Sequence, residues 1–396
     1  MISATVRAPG PQTLHVRAFP KDRGRADHYF TAAAPPGLSA GEASRRVYGE
    51  LCAAVSETGL APVQEKVYGL LRERTAVLKA REAMFQTHGL DASLPVSYLE
   101  GRPVSGGGFA GVQMWAVRGK VETVRHPWGL GRLWSEGGSR FLYLPGVTGA
   151  APDGPLPPGR AGQARRMFLN ARSALRLHGF EFSHVVRTWI YLRRILEWYG
   201  GFNQVRNAIY RSPDFFGPSF QDRAPASTGI GGASRRGDCV MDVLALRPES
   251  RGGAAVERIR SSARQGPAPR YGSAFARATV LCDGPSRTIH VSGTASIDGS
   301  GKSVGPGDCE RQCLQTLLNV AAILEERGAG LGDICSAALF CKDRRSYDAF
   351  LRVSRLLRLP PLPVIALLAD VCRPELRVEI EAVAVRINPS EPKRPS

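Results

Sequence analysis

A constant offset of 149 residues lays one stretch of this chain over another. "QARRMFLNARSALRLHGFEFSHVVRTWIYLRR" (163–194) matches "QCLQTLLNVAAILEERGAGLGDICSAALFCKD" (312–343), with Gln163 on Gln312, Asn170 on Asn319 and Gly179 on Gly328. An internal repeat constrains the architecture more than any single motif, because each copy must be one structural unit. Both stretches read as an amphipathic helix closed by glycine and followed by a strand. Upstream, "RFLYLPGVTG" (140–149) and "RTIHVSGTAS" (287–296) match at offset 147. Each reads as a strand ending in a small-residue turn, at Gly146 or Gly293. Downstream, "APASTGIGG" leads to the strand "CVMDVLALR", and "LPVIALLAD" leads to "RVEIEAVAVR".

A third, fainter copy opens the chain. "SRRVYGELCAAVSETGLAPVQEKVYGLL" (44–71) aligns with the middle copy at offset 120, placing Gly59 on Gly179. It runs on through "LPVSYLEG" to a last strand, "AGVQMWAV" (110–117). The repeating unit is therefore hairpin, helix, strand, helix, strand. This predicts an α+β fold with helices on one face of a mixed sheet. We divide the chain into a diverged first unit (1–120), a middle unit (121–250), a linker rich in Gly, Ser, Pro and Arg (251–270), a last unit (271–388) and a disordered tail (389–396).

The closing strand raises a chemical question. In "RVEIEAVAVR" (377–386), Glu379 and Glu381 alternate onto one face with Val383 and Val385. A solvated face would carry more polar residues, and a core face would carry no acids. Either the glutamates are solvated or paired with a neighbour such as Arg377, or one is buried for use. A carboxyl among apolar neighbours has a raised pKa and keeps its proton near neutrality.

The net charge of +18, with Arg outnumbering Lys 46 to 7, invites a nucleic-acid reading. The arginines are scattered singly or in pairs, without a dense basic run or interleaved aromatics. A basic cleft for a small anion fits equally well, and no nucleic-acid partner is expected. "VSGGGFAG" (104–111) lacks the spacing of a nucleotide-binding loop. Eight cysteines form no CxxC pair and have no histidines at zinc-ligand spacing, so they read as free, mostly buried thiols. No run of 18 apolar residues and no apolar leader appear. We expect a cytoplasmic protein without a membrane span, either a monomer or a weak homo-oligomer.

The last copy resembles the Rid/YjgF superfamily of small trimeric proteins. The resemblance rests on "VSGTAS" (291–296), the helix from Gln312 to Gly328 with Asn319 inside it, "GLGDICSAALFCKD" (330–343) and "VEIEAVAV" (378–385). The whole chain resembles the chorismatase family, on "GFNQVRNAIYRSPDFFG" with "RAPASTGIGG" (201–217 and 223–232) and "CRPELRVEIEA" (372–382). What this implies is three Rid/YjgF-like, chorismate-mutase-like units packed as a pseudo-trimer. It also implies release of pyruvate from chorismate without cofactor or metal, leaving a dihydrodiol or a hydroxybenzoate.

Because the Rid family uses the first glutamate of its closing strand, Glu379 is expected to be the general acid. Glu381 is expected to be structural, paired with an arginine of a neighbouring copy. Only the last copy keeps both glutamates, so one site is expected, between the second and third units. Arg206, with Tyr210 four residues on, Arg223 and Arg277 are candidates for the substrate carboxylates, each also readable as a surface arginine. Ser227, Thr228 and Gly229 offer hydroxyls and close backbone approach, or form a plain strand-entry turn. Gly293 and Ala295 are small and would lie near the ring. Cys372 is a pocket wall or a core thiol. The resemblance implies that a cysteine there accompanies the aromatising branch, whose product is 3-hydroxybenzoate. The alternatives are a Rid-type imine or enamine deaminase and a non-catalytic RNA- or ligand-binding protein. The deaminases hold a carboxylate with an arginine two residues after a proline. Here those positions are Ile365 and Ser227.

Overall fold

The computed structural model of the chain describes residues 14–21, 26–233, 235 and 237–388. The first unit contains β1 (Leu14–Pro20), β2 (Ala26–Ala33), α1 (Ala40–Thr58), β3 (Ala61–Gly69), α2 (Arg74–Thr87), β4 (Ser97–Glu100), β5 (Arg102–Pro103) and β6 (Phe109–Val117). The second contains β7 (Val121–His126), β8 (Gly129–Glu136), β9 (Ser139–Thr148), α3 (Arg160–Leu177), β10 (Val185–Leu192), α4 (Tyr199–Arg211), α5 (Phe220–Arg223), β11 (Ala226–Gly231) and β12 (Cys239–Pro248). The third contains β13 (Ala255–Ile259), β14 (Ala278–Asp283), β15 (Ser286–Ala295), α6 (Cys309–Glu325), β16 (Ile334–Cys341), α7 (Arg344–Leu356), β17 (Val364–Leu368) and β18 (Val378–Ile387). Each unit has one mixed sheet, ordered β1-β2-β6-β3-β4, β11-β10-β12-β9-β8-β7 and β13-β14-β15-β18-β16-β17-β5.

The repeated residues explain themselves in three dimensions. Gly59, Gly179 and Gly328 all take positive φ just after a helix, where a side chain is strained. The amides of Phe180 and Ala329 then close the helix ends on the carbonyls of Leu175 and Leu324. Asn170 donates to the carbonyls of Thr148 and Ala150, and Asn319 donates to those of Ala295 and Ile297. Gln163 accepts from the Asp238 amide, and Gln312 accepts from the Arg377 amide. In both units the helix is thus pinned to the end of the hairpin strand and to the start of the last strand.

Three expectations change. A short strand (β4, β11 or β17) precedes the last strand of every unit and pairs parallel to the preceding one. The alternation of "LPVIALLAD" and its relatives is too short to reveal it. Gly146 and Gly293 do not end their strands. They lie where the register of β9 with β12, and of β15 with β18, slips by a bulge. The segment 251–270 is not a free linker, because its residues 255–259 form β13, the outer strand of the third sheet. The tail reading falls on 389–396, outside the described residues.

Each sheet buries one face against its own helices, giving three separate cores. The other faces meet in a fourth core drawn from all three units. Strands buried on both sides explain why β6, β10 and most of β12 are buried along their whole length. The contacts between units run in a ring. Ser97 of β4 donates to Asp242 of β12 at 2.6 Å. The Ser227 amide of β11 donates to Ser292 of β15 at 2.8 Å. β17 pairs with β5 and packs on β2 and β6 of the first unit. Among the described residues, no helix is long and apolar enough to cross a membrane.

Candidate active site

The alternation of the closing strand resolves at this fourth core. Val378, Ile380, Ala382 and Ala384 enter the helix-side core of the third unit. Glu379, Glu381, Val383 and Val385 face the other sheets. Both acids are therefore buried, at 4% and 5% exposure, and Arg377 instead faces Asp343 at 3.4 Å.

The two glutamates have opposite surroundings. Glu381 is held by charged and polar partners. Arg187 of β10 lies 3.0 Å from its Oε2, Thr228 of β11 donates to the same oxygen, and Lys66 of β3 stands 3.8 Å from Oε1. All three units thus converge on Glu381. Glu379 instead opens into a cavity of about 230 Å³ between the second and third units. Burial pushes its pKa up to about 8, helped by the charge of Glu381 and opposed by Arg187. At neutral pH this carboxyl keeps its proton.

The cavity floor is Glu379 with Gly293 and Ala295 of β15, and Ser227 and Gly229 of β11 lie opposite. Helix α4 contributes Tyr199, Asn203 and Arg206, and the run into β14 contributes Tyr271, Phe275 and Arg277. Cys372 and Arg373 close the remaining wall from the loop before β18. Arg206 is buried at 1% exposure, between the rings of Phe202 and Phe275, with one Nη bonded to Asn203 at 2.6 Å. Its Nε has no partner among the described residues. Arg277 gives two donors to the Gly266 carbonyl, and Arg373 bonds the Gly301 carbonyl and Ser303. Three guanidinium groups around one protonated acid suit a small dianion. Burial holds the Cys372 thiol neutral, with its pKa pushed up to about 12. The described residues contain no group of three or more His, Cys, Asp or Glu placed to hold a metal ion.

Of the residues singled out by sequence, Glu379, Arg206, Ser227, Gly229, Arg277, Gly293, Ala295 and Cys372 line this one cavity. Three do not. Tyr210 packs in the aromatic core of the second unit against Phe168, Phe182 and Phe216. It lies four residues after Arg206, but its shorter side chain stays in the layer between helix and sheet. Arg223 is exposed and bonds the Phe216 carbonyl. Thr228 turns its hydroxyl inward to Arg187 and Glu381. Sequence reading missed Tyr199, Asn203, Tyr271, Phe275 and Arg373. Asn203 was within reach, being three residues before Arg206 on the same helix face.

The register places Gly111 and Val240 where the third unit has Glu379. All three stand opposite the same point of the preceding strand, at Tyr68, Tyr191 and Phe340. The other two seams between units therefore carry no acid at this position.

Residues 270–386 match the family described as Endoribonuclease L-PSP. A 3-hydroxybenzoate synthase of Streptomyces hygroscopicus is 32% identical across 41% of this chain and 52% of its own length. The chain thus spans about half the length of that curated relative. A crystal structure of chorismatase superposes with a TM-score of 0.60 at 22% identity, covering 82% of this chain and 92% of the other. That likeness establishes the fold.

Proposed function

We propose that this chain, which belongs with the chorismatases and is built from Rid-like units, cleaves the enolpyruvyl ether of chorismate to pyruvate and a hydroxybenzoate. The observation that carries the reading is Glu379, buried on the floor of an arginine-lined cavity where desolvation raises its pKa. An enol ether breaks when its terminal methylene is protonated, and Glu379 is the acid for that step. The resulting oxocarbenium ion sits among uncharged walls and fixed guanidinium groups. Arg206, Arg277 and Arg373 hold the two substrate carboxylates and fix the methylene toward Glu379. The three units act as one fused trimer with a single working seam. Ser227, where a Rid deaminase would place its carboxylate-binding arginine, presents only a hydroxyl, which favours ether cleavage over deamination.

Two nucleophiles can follow protonation. Water attack on the side chain gives pyruvate and a dihydrodiol. Attack by the neighbouring ring hydroxyl on the ether-bearing carbon expels pyruvate with the ether oxygen, and the hydroxyl proton returns to Glu379. The ring then opens its epoxide and aromatises, and no water is consumed. The tight wall of Gly293, Ala295 and Cys372 favours the second course and 3-hydroxybenzoate as product.

The test is to incubate the protein with chorismate in H₂¹⁸O and separate the products by chromatography. Stoichiometric pyruvate and unlabelled 3-hydroxybenzoate are expected. A failure to release pyruvate overturns the function. A dihydrodiol as main product overturns only the aromatising course.

A further inference from the structure

A second, much smaller cavity lies where the three inner sheet faces meet. Strands β3, β10 and β16, one from each unit, bring two register-equivalent side chains apiece to it: Gln64 and Lys66, Arg187 and Trp189, Ser336 and Ala338. It holds about 30 Å³. One water needs roughly 10–15 Å³ on this measure, so the space suits a water or a slightly larger single ion, but no oxyanion.

The chamber holds buried donors that lack a partner among the described residues. Lys66 Nζ lies 3.6 Å over the Trp189 ring and 3.8 Å from Glu381, beyond hydrogen-bond length. Arg187 spends one Nη on Glu381 and Thr228, and its Nη1 is buried without a partner among the described residues. The indole N–H of Trp115 and both ring nitrogens of His290 are likewise buried and unpartnered. Burial, with the two nearby cations, holds His290 neutral.

Charge is unbalanced in the same sense. Arg187 and Lys66 both lie against the Glu381 carboxylate, and burial lowers the Lys66 pKa to about 8. The next acid, Asp242, already accepts from Ser97, Tyr143 and the Gly146 amide, and burial raises its pKa against the opposing pull of Lys66. Uncompensated charge this deep is strongly unfavourable.

We propose that this chamber binds one halide-sized monovalent anion, chloride, between Arg187 and Lys66 at the meeting point of the three sheets. The anion completes the Arg187 fork, gives Lys66 a second counter-charge and ties the first and second units to the strand that carries Glu381. Its binding is therefore linked to the stability of the whole assembly.

The experiment crystallises the full chain with bromide replacing chloride and collects data at the bromine absorption edge. An anomalous peak in contact with Arg187 Nη1 and Lys66 Nζ is expected. A map with no peak there, or with water only, overturns the proposal. Thermal unfolding at constant ionic strength provides the second reading. Replacing gluconate by about 0.2 M halide should raise Tm by roughly 2–4 °C. The Lys66→Met variant should lose this increment, and equal Tm values of the native chain in both salts overturn the proposal. Should that variant not fold, the bromide map of the native chain still decides.

Discussion

Gly293 lies in the bulge of β15 facing Glu379, and a β-carbon added there would overlap the Glu379 Oε1. The same carbon would stand 3.2 Å from Thr228 Cγ2, and the Glu379 carboxyl, at the end of a flexible side chain beside the cavity, is the group that must move. Gly293→Ala should therefore turn Glu379 away from the substrate while leaving the sheet folded. Pyruvate release should fall about 100-fold, the scale expected for a reacting group displaced by about 1 Å. Circular dichroism should remain that of the native chain. Undiminished turnover would show that Glu379 does not act from this position.

Glu379→Gln preserves shape and removes the proton. Turnover should fall by about 10²–10⁴-fold or more, with a native fold. On the proposed mechanism the native chain should lose activity as pH rises through about 8, because the acid form is the working form. Stability moves the same way. The folded pKa lies above that of a free glutamate, so the folded state holds this proton more tightly. The contribution is complete below about 4.5 and is lost as pH rises through about 8, a change bounded at about 5 kcal/mol. The Gln variant should lack this dependence in denaturation measured from pH 5 to 9.

Glu381→Gln tests the neighbouring charge. The Glu381 carboxylate makes ionisation of Glu379 harder. Its removal should shift the alkaline limb of the pH–rate profile toward acid. It should also destabilise the fold by about 3–5 kcal/mol, since Arg187 and Lys66 lose their shared partner. A pH limb that does not move would show that the two acids are uncoupled.

Cys372→Ala enlarges the cavity at its wall without changing charge, because the thiol is neutral. Water gains access to the protonated substrate, so the ratio of dihydrodiol to hydroxybenzoate should rise. Chromatography of both ring products reads this ratio directly. An unchanged ratio would remove Cys372 from the control of product.

Asn319→Ala and Asn170→Ala are matched tests of the repeat. Each removes two hydrogen bonds, although the Ala150, Ala295 and Ile297 carbonyls keep another donor in Trp128, the Ile297 amide and Gln265, at an expected loss of about 0.5–1.5 kcal/mol per bond. The Asn319 carbonyls belong to Ala295 and Ile297, which line the cavity, so this variant should also raise KM. The Asn170 variant should lose stability and keep its kinetics.

Much of the unit was legible in the chain, because helix ends and buried clamps need particular residues. Gly179 and Gly328, Asn170 and Asn319, and Gln163 and Gln312 repeat because each satisfies the same backbone groups. The closing strand was legible for the same reason: two acids interrupt an apolar face. What could not be read was the convergence of distant segments. Lys66 shows nothing locally of its approach to Glu381, because that pairing exists only once the three sheets meet. Tyr271 and Phe275 lie near the segment read as linker, yet they pack as a cavity wall. Arg223 and Tyr210 were chosen by type and spacing. Burial and the depth of the helix layer, which spacing does not encode, decided against them.

The three seams between units differ at one position: glutamate in one, valine in another, glycine in the third. In an assembly of identical chains every substitution appears at all three seams at once. Each would then bury an ionisable acid beside a charged neighbour, and any improvement at one would be imposed on the others. Joining the units in one chain lifts that constraint. Two seams can be given over to packing and cohesion while the third keeps an acid in an environment that resists its ionisation. Asymmetry of this kind lets a repeated unit specialise at one seam without losing its fold.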